Sequence, residues 1–208
     1  LRIAGVPTST RTAELARQVG IRVISLDEAR WLDLTIDGAD EFDMDLNLIK
    51  GGGGAHLQEK IVATASDQMI VITDPSKQVE HLGSFPLPVE VIPFGWQTSK
   101  ALIEETLASL EVLGQTSALR MNGEAPFVTD EGNHIIDLYL QRIGNPRQLS
   151  MVLNQIPGVV ENGLFIDICD KVVIGHQDGR VEVIDINEGT HDEGLVEFAE
   201  TENLFSDI

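Results

Sequence analysis

Between residues 34 and 73 the chain reads as strand, glycine run, helix and strand, and this order constrains the fold more than any other feature. Leu34-Thr35-Ile36 is a short apolar strand that ends at Asp37. Residues 55–66 have helical spacing. Met69-Ile70-Val71-Ile72-Thr73 is a continuous apolar run of the kind expected in a strand buried on both faces. Strands alternating with helices argue for a parallel sheet, because parallel neighbours need a crossover connection of this kind. The expected class is α/β, with a doubly wound, mostly parallel sheet. Upstream, residues 1–6 and 21–24 read as further strands around a helix over 12–19, with Gly20 as its C-cap. Lys171-Val172-Val173-Ile174-Gly175 returns a strand to the same sheet.

The pattern changes at "PLPVEVIPFGW", where three prolines bracket Val89-Glu90-Val91-Ile92. A helix is expected over 99–113 and a strand over 117–121. A hairpin joins 126–129 to 134–139 through Asp130-Glu131-Gly132-Asn133. A helix over 146–156 and a strand over 159–165 complete a split β-α-β unit. Residues 88–165 therefore read as a smaller α+β, ferredoxin-like domain inserted into an α/β catalytic domain made of 1–87 and 166–184. From Asp185 onward there are eight acidic residues and no lysine or arginine, so 185–208 reads as an acidic C-terminal tail, disordered or a peripheral helix.

Parallel sheets bind ligands beyond the carboxyl ends of their strands. Asp37 and Asp74 sit at such ends. In Asp37-Gly38-Ala39-Asp40 two carboxylates lie three apart on a sharp turn, able to face one pocket. The plainer reading is a solvated turn with Asp40 as a helix cap. Lys50 then precedes Gly51, Gly52, Gly53 and Gly54. Four glycines carry a large conformational entropy loss, accepted where backbone must approach a ligand. Their amides and the following helix N-terminus make an anion nest. The run is neither a P-loop nor a dinucleotide fingerprint, since both spacings are missing. Glu59, one turn into that helix, would alone be an exposed glutamate paired with Lys60. Its position points it at whatever the loop binds. Lys77 follows Asp74-Pro75-Ser76, where Asp74 also suits a helix cap with Pro75 at the first position.

The formal net charge is −20, and no basic stripe offers a footprint for nucleic acid. No apolar run reaches the length of a bilayer span, and the N-terminus has no signal-peptide h-region. The single cysteine, Cys169, rules out an intrachain disulfide framework and fits a reducing cytoplasm. None of the five histidines has a partner at the i, i+4 zinc spacing, so no metal is expected. His56 is the one nearest the expected site.

The ordered stretches "DGADE", "IKGGGGAHLQEKI", "DPSKQV", "LGSFPLPVEVIP" and "IPGVVENGLF" together resemble the type A ribose-5-phosphate isomerase family. The resemblance spans residues 1 to about 180. It implies interconversion of ribose 5-phosphate and ribulose 5-phosphate in the pentose phosphate pathway, without metal or cofactor, by a cytoplasmic homodimer acting on a small sugar phosphate. Carried over by motif, Glu59 is the proton-transferring base. Asp37, Gly38, Ala39 and Asp40 bind substrate, as do Lys50, Gly51, Gly52, Gly53 and Lys77. Lys50 and the loop amides would stabilise negative charge, either on an enediolate formed between C1 and C2 or on the substrate phosphate. Family members also carry a G-T-G-S-T phosphate loop near the N-terminus, ahead of where this sequence starts. The expectation is that an N-terminal segment is omitted. A non-catalytic sugar-phosphate-sensing domain is the alternative, and Glu59 discriminates, since a sensor needs no base. An aldose–ketose or amino-sugar enzyme with another substrate length is a third reading.

Overall fold

A computed structural model describes residues 3–196. Its largest sheet has five strands in the order Thr190–Leu195, Arg180–Asp185, Lys171–Gly175, Met69–Thr73 and Thr35–Asp37. Lys171–Gly175, Met69–Thr73 and Thr35–Asp37 run parallel, each pair joined by a long crossover connection. The helix His56–Thr64 lies in the connection from Thr35–Asp37 to Met69–Thr73. The fold is mixed α/β. Ala4–Gly5 and Arg22–Val23 pair in parallel as a separate two-stranded sheet around the helix Thr10–Gln18.

Two differences from the sequence expectation concern this sheet. Met69–Thr73 is not buried on both faces: Met69 and Val71 are enclosed, while Ile72 is 56% exposed. Ile36, on the neighbouring strand, is exposed as well, so among the described residues one face of the sheet stays open there. The acidic stretch from Asp185 does not begin as a tail or helix. Asp185↔Thr190 opens a hairpin that runs to Arg180↔Leu195 in register, turning at Gly189 with φ of 63°. Lys171 meets Asp185 at 2.9 Å, Arg180 lies 3.8 Å from Glu193, and His191 of the second strand pairs with Glu182 of the first. Residues 197–208 of the expected tail lie outside the described residues.

A second, antiparallel sheet orders Val159–Asn162, Leu87–Val91, His134–Tyr139 and Thr116–Leu119. With the helices Trp96–Leu107 and Pro146–Leu153, the chain order is β-α-β-β-α-β. Leu87, Val89, Val91, Ile103, Leu107, Ile136 and Leu153 pack as one core, which also takes in Ile49 and Leu82. The other core joins Phe42, Leu48, Met69, Val71, Phe165 and Val172 under the parallel strands. The expected hairpin between 126–129 and 134–139 does not form as a strand pair. Ala125–Pro126 pairs with Met121–Asn122 instead, and Pro126 and the turn residues leave His134–Tyr139 to the four-stranded sheet.

The strand expected over 159–165 breaks at Gly163. Val159–Asn162 belongs to the four-stranded sheet, and Leu164–Phe165 pairs with Leu48–Ile49 in a third, small sheet with Glu41–Phe42. A Cβ at Gly163 would stand 2.3 Å from the carbonyl oxygen of Lys50. Only glycine permits that approach. The Gly163 carbonyl accepts from the Lys50 N–H at 2.9 Å, and the Gly163 N–H donates to the Pro88 carbonyl at 2.8 Å. This crossing sets the backbone of Lys50.

Candidate active site

Asp37 closes a parallel strand, and Lys50 directly follows the strand Leu48–Ile49, so both side chains meet at the carboxyl edge of the fold. The Lys50 ammonium is 3.0 Å from Asp37 Oδ2 and 3.2 Å from Glu59 Oε2. It also donates to the Gly38 carbonyl at 2.5 Å. The ammonium thus makes one hydrogen bond, to a carbonyl, and stands in ion-pair contact with two carboxylates. Only 4% of the Lys50 side chain is exposed, and the Phe165 ring lies 5.5 Å from the ammonium. The Glu59 contact is an ion pair without hydrogen-bond alignment, because Glu59 Oε2 has no hydrogen-bond partner. Lys60 does not pair with Glu59. It turns the other way, to Glu161 at 2.9 Å and the Asn162 carbonyl at 2.6 Å.

Burial raises the Glu59 carboxyl above the ordinary 4.5, the nearby Lys50 charge opposes that rise, and Asp37 adds to it. A buried carboxylate next to one cation and two other acids is a stronger base than a solvated one.

The glycine loop lies across the mouth of this cluster. The Gly52 N–H donates to Asp40 Oδ2 at 2.7 Å. A Cβ on Gly52 would stand 2.7 Å from the other oxygen of Asp40. Gly51 has φ of 104°, and a Cβ there would meet the His56 ring at 2.8 Å. A Cβ at Gly53 would meet nothing within 4 Å, and among the described residues its N–H has no acceptor. Asp37, Gly38, Ala39, Asp40, Lys50, Gly51, Gly52, Gly53 and Glu59 together line one cavity of about 230 Å³. Asp37 and Glu59 also border a larger hollow of about 490 Å³, walled by Leu34, Ile36, Thr8 and Ser9.

Lys77 stands apart from these residues. It ends the short 3₁₀ turn Pro75–Lys77, capped by Asp74, whose carboxylate accepts the Ser76 N–H at 2.8 Å. Two neighbours of the cavity were not singled out by sequence reasoning. Glu41 is buried and accepts the N–H groups of Gly83 and Phe85, which brings the Phe85 ring against Gly52. Its sequence neighbours gave it the look of a solvated turn. Arg120, just past the strand Thr116–Leu119, donates to the carbonyls of Gly51 and Gly52, and no local pattern marks it. His56 is fully buried beneath Gly51, with Nε2 3.8 Å from Glu90 Oε2.

A family profile described as ribose 5-phosphate isomerase A (phosphoriboisomerase A) matches residues 4–179. The chain belongs to the ribose 5-phosphate isomerase A family. Ribose-5-phosphate isomerase A of Ruegeria sp. (strain TM1040) is 76% identical over 208 residues, all of this chain and 79% of that protein. The protein of the same name from Ruegeria pomeroyi is 75% identical over the same span. Among solved structures, ribose 5-phosphate isomerase A of Methanocaldococcus jannaschii is 40% identical, with a TM-score of 0.79 over 88% of this chain and 78% of that one. A D-ribose-5-phosphate isomerase in complex with phospho-erythronic acid is 42% identical, with a TM-score of 0.80 and the same coverage.

Proposed function

We propose that this protein interconverts ribose 5-phosphate and ribulose 5-phosphate, with Glu59 as the base that carries a proton between C2 and C1. The observation that carries the reading is the Asp37–Lys50–Glu59 cluster, buried in a polar cavity of a family member. The open-chain aldose presents an acidic C2–H beside its carbonyl. Glu59 removes that proton, and the electron pair moves through an enediolate to the C1 oxygen. The hydroxyl proton passes from O2 to O1, and the protonated Glu59 delivers its proton to C1, which leaves a C2 carbonyl and a C1 hydroxyl, the ketose.

Charge in the cluster favours this sequence. Before reaction Lys50 faces two carboxylates. Once Glu59 is protonated its attraction for Lys50 falls, and an ammonium N–H becomes available to the oxygen on which negative charge grows. The Gly53 N–H adds a second donor at the cavity wall. Asp37 and Asp40 bind the sugar hydroxyls and assist ring opening. Lys77, outside the cavity, takes part only through contact with an extended substrate. A sensing domain would gain nothing from a buried, unaligned carboxylate at Glu59.

Among the described residues no helix is long and apolar enough to cross a membrane. A cytoplasmic homodimer, built from an α/β catalytic unit (1–87 and 166–184) and an inserted unit (88–165), completes the proposal. A coupled assay offering ribose 5-phosphate alongside hexose phosphates tests it. Turnover confined to the pentose supports the reading, and preference for a hexose overturns it. Light scattering at micromolar concentration tests the dimer.

A further inference from the structure

The glycine loop has no side chains with which to hold itself, and each glycine forfeits more backbone freedom on ordering than any other residue. One backbone bond lies within it, from the Gly54 N–H to the Gly51 carbonyl at 3.0 Å, and further restraint comes from outside, from Asp40 and from Arg120. Arg120 follows the strand Thr116–Leu119 and is fixed there by its backbone, donating to the Ile135 carbonyl and accepting from the Phe127 N–H. Its Nε and Nη2 donate to the two oxygens of Asp137 at 2.9 and 2.5 Å. Its Nη1 donates to the carbonyls of Gly51 and Gly52 at 2.8 and 3.1 Å. Arg120 and Asp137 are both mostly enclosed, at 15% and 14% side-chain exposure. The Phe127 ring lies 5.8 Å from the guanidinium carbon.

Peptide planarity turns this grip into aim. A trans peptide points its N–H opposite to its C=O. Holding the carbonyls of Gly51 and Gly52 therefore fixes the N–H groups of Gly52 and Gly53 on the far side, toward Asp40 and the cavity. The Gly52 N–H is taken by Asp40, while the next N–H, that of Gly53, has no acceptor among the described residues. Arg120 is absent from the cavity lining, so it does not touch what binds there.

We propose that Arg120, locked by Asp137, is a positioning residue that holds the glycine loop so that the Gly53 N–H faces the Asp37–Lys50–Glu59 cavity. The inference rests on the isomerase reading for its kinetic readout but not for its structural one. Lysine cannot replace the guanidinium, because a single ammonium does not span a bidentate carboxylate and two carbonyls at once.

The test uses the purified protein and the variants Arg120→Ala, Arg120→Lys and Asp137→Asn. The measurements are ribose 5-phosphate kinetics, thermal melting and amide hydrogen exchange of a peptide covering residues 50–60. Arg120→Ala is expected to melt cooperatively, to exchange faster in that peptide alone, and to raise KM at least about tenfold through the lost charge-assisted bonds. Added guanidinium ion is expected to restore part of the loss, and Arg120→Lys to share the defect. Asp137→Asn keeps the side-chain shape and is expected to fall between wild type and Arg120→Ala, so it carries the test if Arg120→Ala does not fold. Unchanged loop exchange in both Arg120→Ala and Asp137→Asn overturns the proposal, as does a defect that Arg120→Lys fully repairs. If wild type itself does not isomerise ribose 5-phosphate, the functional reading fails, while the exchange data still decide the role of Arg120.

Discussion

The ammonium of Lys50 stands 3.2 Å from the carboxylate of Glu59, and neither group faces bulk water freely. This pair sets the protonation behaviour of the cavity. Burial pushes Glu59 toward its neutral form, and Lys50 holds it toward the charged form.

Replacing Glu59 with Gln keeps the shape and removes the base. The expected result is a fall in kcat by about 10²–10⁴, the usual worth of a positioned general base, with KM little changed. Exchange of solvent deuterium into C–H positions should nearly cease. Normal turnover by this variant would move the base to Asp37 or Asp40.

The acid limb of kcat/KM should lie above 4.5, because Glu59 must be ionised to act and its carboxyl is raised. Lys50→Met removes the group that opposes this rise. A ¹³C NMR titration of Glu59 should then show its midpoint moving further upward. A downward move would mean that Lys50 does not govern Glu59.

Two adjacent glycines should respond differently to alanine. At Gly52 the added methyl meets Asp40 at 2.7 Å, so loop and carboxylate must separate. Displacement on the order of 1 Å in such a site lowers turnover roughly 10²-fold. At Gly53 nothing lies within 4 Å of the new methyl. The melting temperature of Gly53→Ala should match wild type, with the change confined to KM. Equal losses of stability in both variants would contradict this.

His56 is expected to make acid unfolding steeper. Burial, with Lys60 and Arg120 nearby, lowers its pKa from 6.5 to about 4. The unfolded chain therefore binds a proton between those values that the folded chain refuses. Stability is unaffected by this group above 6.5 and falls as pH drops toward 4, by roughly 3 kcal/mol in full. Glu90, raised by burial, works in the opposite direction with or without His56. Urea unfolding at pH 7 and pH 5 should show a smaller stability loss for His56→Gln than for wild type. An equal loss would mean that His56 titrates normally.

The legible parts of this molecule were those written locally. Strand–helix–strand order gave the parallel strands, and the turn, loop and helix start gave residues that line one cavity. Ile72 was misread because four apolar residues in a row, Met69 to Ile72, carry no period to mark the open face. The hairpin after Asp185 was misread because Thr190–Leu195 is exposed along nearly its whole length and shows no alternation, so composition alone decided the reading. Arg120 could not be found at all. Its targets are carbonyls 68 and 69 positions away, and an arginine beside a strand looks like a surface residue.

Gly163 passes the chain from one sheet to another while its carbonyl seats the backbone of Lys50. This leaves the junction no slack in length. Surface turns such as that at Gly123 or Gly189 can lengthen without disturbing the cavity. One residue added between Asn162 and Leu164 would shift register in both sheets and carry the ammonium out of line with its carboxylates. Variation in loop length across relatives should therefore stop short of this crossing, and a library of single-residue insertions should show inactive members concentrated there.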